Sequence, residues 1–214
     1  MKKKNIENKI TMISAFTLFG LGLIYALVLV LGLFSLKEST DPIGNPYVSV
    51  MEIIIIMMTP FMLLLSSGLY FIEGNKHKFT NFMSVVFMII ASCITSSVHI
   101  TVLSINNHLG SRELPWFQQF FSWEWPSVVY ALDILAWDFF FALSILCLVP
   151  IYYKKNNSIT ISLLLAGILS LVGLIGPVIS DMQFRLIGVF GYAGLFPIAC
   201  FLMGKQILYK EETM

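Results

Sequence analysis

The stretch PSVVYALDILAWDFFFALSILCLVPIY, residues 126–152, decides how this chain is read. It is apolar for long enough to cross a bilayer, which takes roughly 20 residues as a helix. It also carries Asp133 and Asp138 in its interior. The first property recurs in Ile10–Phe34, Val48–Ile72, Thr80–Ile105, Ser158–Asp181 and Phe184–Leu208. Of 214 residues, 57% are hydrophobic and 12% charged, against roughly 25% charged in a soluble domain. Mean hydropathy is +0.85. The pattern predicts an all-α, polytopic transmembrane bundle of six spanning helices. Residues 1–214 then form a single membrane domain, with 106–125 as an interfacial aromatic loop.

Lysine and arginine set the orientation. With the N-terminus inside, the inner segments hold Lys2, Lys3, Lys4, Lys9, Lys76, Lys78, Lys154, Lys155, Lys205 and Lys210, and the outer ones Lys37, Arg112 and Arg185. Ten against three predicts that both termini are cytoplasmic in a multi-pass cell-membrane protein. The start, MKKKNIENK before an apolar run, imitates a signal peptide. The run is too long and lacks a small-residue cleavage site, so it reads as an uncleaved first helix.

Several function classes drop out. No CxxC, HExxH, P-loop or GxSxG pattern occurs. No basic, aromatic-interleaved segment suits nucleic acid. Cys93, Cys147 and Cys200 lie on three different spans and read as small core residues rather than a disulfide framework. No cofactor is expected. The expected partners are the lipid bilayer and a small solute or cation, and a homo-oligomer is compatible.

Residues three, four and seven apart share a helix face. Polar and small stripes therefore mark inward faces, since lipid is as apolar as leucine. Span 2 aligns Glu52, Thr59, Ser66 and Glu73; span 3 aligns Ser92, Thr95, Ser96 and His99; span 4 roughly aligns Tyr130, Asp133, Trp137 and Ser144. Span 5 aligns Ser162, Ala166, Ser170, Gly173, Pro177 and Asp181. Gly188, Gly191 and Gly194 recur every third residue in span 6, which predicts a tight hairpin with span 5 across Met182–Gln183. No three-plus-three inverted repeat is evident.

The ionisable residues cluster toward the outer half. At 1.5 Å per residue, Asp133 lies about 10 Å and Asp138 about 18 Å below the start of span 4, His99 about 9 Å and Glu52 about 6 Å below theirs. A charge there must be paired, protonated or wetted. Asp138, Asp133, His99 and Glu52 are the candidates for binding a ligand or proton. Asp181 and Arg185, four apart at a turn, read as a structural pair. By the 3.6-residue period the two aspartates point about 140° apart, and Trp137 shares the face of Asp133, where its N–H could satisfy the carboxylate. His99, Asp133 and Asp138 are weak metal-ligand candidates, because catalytic zinc usually takes more nitrogen or sulfur. In the outer loop, Trp116, Trp123 and Trp125 read as an interfacial anchor or a lid.

YALDILAWD, the turn SDMQFRLIG and GYAGLFP together resemble segments of small bacterial integral-membrane proteins of unknown function. The resemblance covers roughly the C-terminal half. It implies a bacterial cytoplasmic membrane and a compact bundle, and brings no activity. The residues themselves favour a binder or transporter of a small solute, cation or proton through an outward-facing acidic pocket. The alternatives are a non-catalytic assembly, sensor or immunity-type protein, and an intramembrane metal-dependent hydrolase of a lipid.

Overall fold

The computed structural model describes residues 2–36, 43–72, 77–106 and 116–212. Glu73, His108, Lys37, Lys76 and Arg112 lie outside the described residues. Six helices are long and apolar enough to span a membrane: Ile6–Phe34, Tyr47–Ile72, Lys78–Ile105, Val128–Tyr152, Asn157–Ile179 and Met182–Tyr209. They match the expected spans to within a few residues. No strand occurs among the described residues.

The elements are α1 (Lys2–Phe34), α2 (Tyr47–Ile72), α3 (Lys78–Asn106), α4 (Phe117–Phe121), α5 (Val128–Ile134), α6 (Ala142–Tyr152), α7 (Asn157–Gly173), α8 (Ile175–Ile179), α9 (Arg185–Val189) and α10 (Phe196–Glu212). The fourth and sixth spans are not plain α-helices. Leu135–Phe141 and Phe190–Leu195 are wound as π-helix, joining α5 to α6 and α9 to α10. Such segments are rare and often mark functional positions.

The spans form a ring in chain order. Each packs on the next, and α1 closes the ring against α10. Neighbours run antiparallel. Asn81 at the start of α3 donates to the carbonyl of Leu69 near the end of α2 at 3.1 Å. Gly68 of α2 sits on Thr11 of α1, and Gly22 of α1 on Pro197 of α10. Asn156, which caps α7, reaches Gln206 of α10 at 3.1 Å. Both ends of the described chain therefore lie at one end of the ring, called here the lower end. Residues 43–46, 116–127 and 180–184 lie at the upper end.

The centre is filled by Met62, Leu65, Met88, Phe141, Ile145, Leu148, Phe196 and Met203. Phe141 stands edge-on to Phe196 at 4.9 Å and 90°. Leu27, Phe71, Phe79, Val178 and Phe190 stay exposed on the outside, which is compatible with a bilayer as solvent. The polar stripes turn inward: Glu52, Thr59, Ser66, Ser92, Thr95, His99, Asp133, Ser144 and Ser170 are all buried. They tie helices pairwise, Thr59 to Ser96 at 3.0 Å and Ser144 to the carbonyl of Ser84 at 2.7 Å. The cysteines are free thiols and only Cys200 is buried; Cys93 faces outward, which corrects its reading as a core residue.

The expected hairpin of spans 5 and 6 forms. A Cβ on Gly188 would stand 3.2 Å from the Cα of Gly173, and one on Gly191 would stand 2.7 Å from the carbonyl oxygen of Ala166. Only glycine permits backbones so close.

Candidate functional site

Five ionisable side chains from α2, α3, the fourth span and α9 meet near the upper end. Glu52 and His99 are joined through the ring Nδ1, and the other ring nitrogen, Nε2, lies 3.2 Å from Asp133 Oδ1. Arg185 Nη2 donates to Asp133 Oδ2. Its Nε lies 3.6 Å from Asp138 Oδ2, beyond hydrogen-bond length. Trp123 donates its indole N–H to the remaining Glu52 oxygen at 2.9 Å. All five groups are at least nine-tenths buried. The order is donor, acid, base, acid, base, acid.

Both nitrogens of His99 face carboxylate oxygens. A neutral ring has one N–H, so one of its two contacts would set lone pair against lone pair. The Glu52–His99–Asp133 unit is satisfied only when it holds a second proton, shared between ring and carboxylates. It can thus store or pass a proton without moving a helix.

The two aspartates reach the same arginine, although an α-helical period sets them about 140° apart. The π-helical segment is the reason. Its hydrogen bonds close five residues apart, and the wider winding between Asp133, near the end of α5, and Asp138, inside the π-segment, changes the angle that an unbroken α-helix would set between them. This corrects the expectation that the carboxylates diverge.

Asp138 is fully buried and neither oxygen has a hydrogen-bond partner among the described residues. It fills a slot between two glycines. A Cβ on Gly173 would come within 3.0 Å of both oxygens, and one on Gly188 within 2.6 Å of Oδ1. Arg185 Nε is likewise buried and unpartnered.

The expected pair of Asp181 with Arg185 does not form among the described residues. Asp181 is exposed and accepts from the Gln183 backbone N–H at 3.0 Å, capping the turn Met182–Phe184. Arg185 points inward, where two buried carboxylates outbid one in water. Trp137 does not satisfy Asp133 either; its ring lies 4.9 Å from Tyr192 and 5.1 Å from Phe141. Of the loop tryptophans, Trp123 joins the network, Trp125 stands edge-on to Tyr130 at 6.4 Å, and Trp116 is half exposed against Phe120.

A cavity of about 670 Å³ lies beside the network, lined by Glu52, His99, Trp123, Asp133 and Arg185. Pockets for small molecules span about 300–1,000 Å³. Phe117 and Phe121 of α4 and Gly44 border its upper part. Sequence reasoning passed over Tyr25 and gave no site role to Tyr130 and Tyr192. All three line the cavity. Arg185 lies over the Tyr130 ring, 4.3 Å from its centroid. The signal was available: a tyrosine inside a span places a hydroxyl where it needs a partner.

The weak metal set His99, Asp133 and Asp138 does not converge. Carboxylates hold both nitrogens of His99, and the ion contact of Asp138 is with Arg185, not with His99. No group of three potential ligands gathers among the described residues. No protein-family model matches the chain, and no curated protein and no solved structure is similar to it.

Proposed function

We propose that this chain is a multi-pass protein of a bacterial cytoplasmic membrane, both termini inside, that binds or transports a small solute together with a proton. The observation that supports this best is the cavity walled by a continuous buried chain of acids and bases. Glu52, His99, Asp133 and Arg185 provide its polar side, and Asp138 is a reserve acid behind Arg185. When the Glu52–His99–Asp133 unit gains or loses its extra proton, the hold of Asp133 on Arg185 changes. The guanidinium then has Asp138 within one small movement. Proton state and cavity shape are thereby linked. A bare cation is a less apt ligand than a solute with acceptor groups, because both oxygens of Glu52 and both of Asp133 are already engaged.

Substituted-cysteine labelling tests access to the cavity. The native cysteines are first replaced. Ile55 lines the cavity, whereas its neighbour Ile54 is buried in the core. A charged methanethiosulfonate added outside intact cells is expected to modify Ile55→Cys and leave Ile54→Cys untouched. Equal inertness of both would remove the outward-open pocket. Topology is tested separately with alkaline phosphatase fusions: activity is expected after Asn106 and none at the C-terminus, and the reverse would invert the orientation.

A further inference from the structure

The free hydrogen-bonding capacity of the cavity lies on one side. Of the three guanidinium nitrogens of Arg185, only Nη2 donates to a protein acceptor among the described residues. Arg185 is nine-tenths buried and lines the cavity. Tyr25, Tyr130 and Tyr192 line the same cavity and bring three hydroxyl-bearing rings to it. Spare donors call for a ligand rich in acceptors, and a guanidinium edge suits phosphate or carboxylate best.

The rest of the wall is largely apolar, with Asn45, Gln118, Ser122 and Glu124 as its other polar members. Gly22 and Leu29 of α1, Met58 of α2, Val189 of α9 and Pro197 of α10 supply aliphatic lining. The wall also reaches the outer surface of the bundle. Leu33 and Leu186 line the cavity and are nonetheless 53% and 66% exposed. α1 packs along α10, with Phe19 against Phe201 at 4.9 Å, but it runs past α9 without packing closely on it. The cavity therefore also has a lateral opening, between two helices with apolar outer faces, besides its upper end. Arg185 sits about 5 Å below the start of its span, at 1.5 Å per residue, close to the depth of lipid head groups.

We infer that the cavity takes an amphiphile from the bilayer, through the gap between α1 and α9. Its acceptor-rich anionic head, a phosphate or carboxylate, meets Arg185 and the tyrosines. Its single apolar chain lies along Leu29, Met58 and Val189. The inference rests on the proposed solute-binding role and names the class of solute. A freely soluble phosphate would use the same donors, so chain length separates the two sources.

The test is calorimetry on the full chain in phosphatidylcholine nanodiscs, with empty nanodiscs as blank. The probes are dodecyl phosphate, butyl phosphate, inorganic phosphate and dodecyltrimethylammonium. Saturable binding of dodecyl phosphate, about one per chain, is expected to be at least about tenfold tighter than that of butyl phosphate, because each buried methylene contributes about 0.8 kcal/mol. Arg185→Gln should weaken it by about tenfold or more, the worth of a charged hydrogen bond. Should that variant fail to fold, Val189→Trp, which fills the apolar half, is expected to abolish dodecyl phosphate binding and spare butyl phosphate. Equal affinity for inorganic and dodecyl phosphate would overturn the lateral route while leaving a soluble ligand. Preference for the ammonium probe, or no saturable binding, would overturn the inference; modification of Ile55→Cys still reports the cavity itself.

Discussion

Arg185→Gln is expected to destabilise the protein by about 3–5 kcal/mol, the usual cost of removing one partner from a buried ion pair. Among the described residues, the side chain is the one arginine or lysine beside Asp133 and Asp138, with His99 on the far side of Asp133. Its loss leaves Asp133 with one neutralising neighbour and brings two buried acids face to face. Asp133→Asn should be milder, because Asp138 Oδ2 is already 3.6 Å from Arg185 Nε and can take up the guanidinium. Adding Asp133→Asn to Arg185→Gln should recover part of the loss, since it removes the orphaned charge. Thermal unfolding of the four proteins in one detergent checks the order. Equal stability of Arg185→Gln and wild type would mean that the ion pair is not formed.

Gly191→Ala should be nearly as severe. The new methyl would stand 2.7 Å from the carbonyl oxygen of Ala166 and 3.0 Å from the backbone nitrogen of Ser170. Those atoms belong to the backbone of α7 and cannot turn aside as a side chain can. Spans 5 and 6 must part, at a cost of about 1–3 kcal/mol or more by comparison with other overpacked sites. Gly20 is the control. A Cβ there meets nothing within 4 Å, so Gly20→Ala should be neutral or stabilise α1 by up to about 1 kcal/mol. Folded yield and unfolding temperature of both variants test the contrast. Matching losses at the two positions would contradict the close packing of the hairpin.

The bundle was legible in the sequence because hydropathy is a property of each span taken alone. The inward stripes on spans 2 and 3 were legible for a similar reason: a heptad step holds while a helix stays α-helical, and Glu52, Thr59, Ser66, Ser92 and His99 are buried as it predicts. The rule fails where the helix changes its winding. LAWDFFF has no residue that announces a π-segment, so the convergence of Asp133 and Asp138 could not be read from 3.6-residue spacing. Contacts across the chain were equally hidden. Trp123 meets Glu52 from 71 residues away, and Arg185 passes over Asp181, four positions off, for Asp133, 52 positions off. Local spacing favoured the near partner, while burial of two carboxylates decided for the far ones.

The central claim is that Asp138 is a buried acid held between Gly173 and Gly188, with no hydrogen-bond donor among the described residues and within reach of Arg185. Infrared difference spectroscopy on reconstituted protein reads this most directly, because a neutral carboxyl absorbs where a carboxylate does not. An infrared signal of the Asp138 carboxyl group is expected in the wild type, missing in Asp138→Asn and shifted when Arg185 is replaced. Identical spectra for wild type and Asp138→Asn would contradict it.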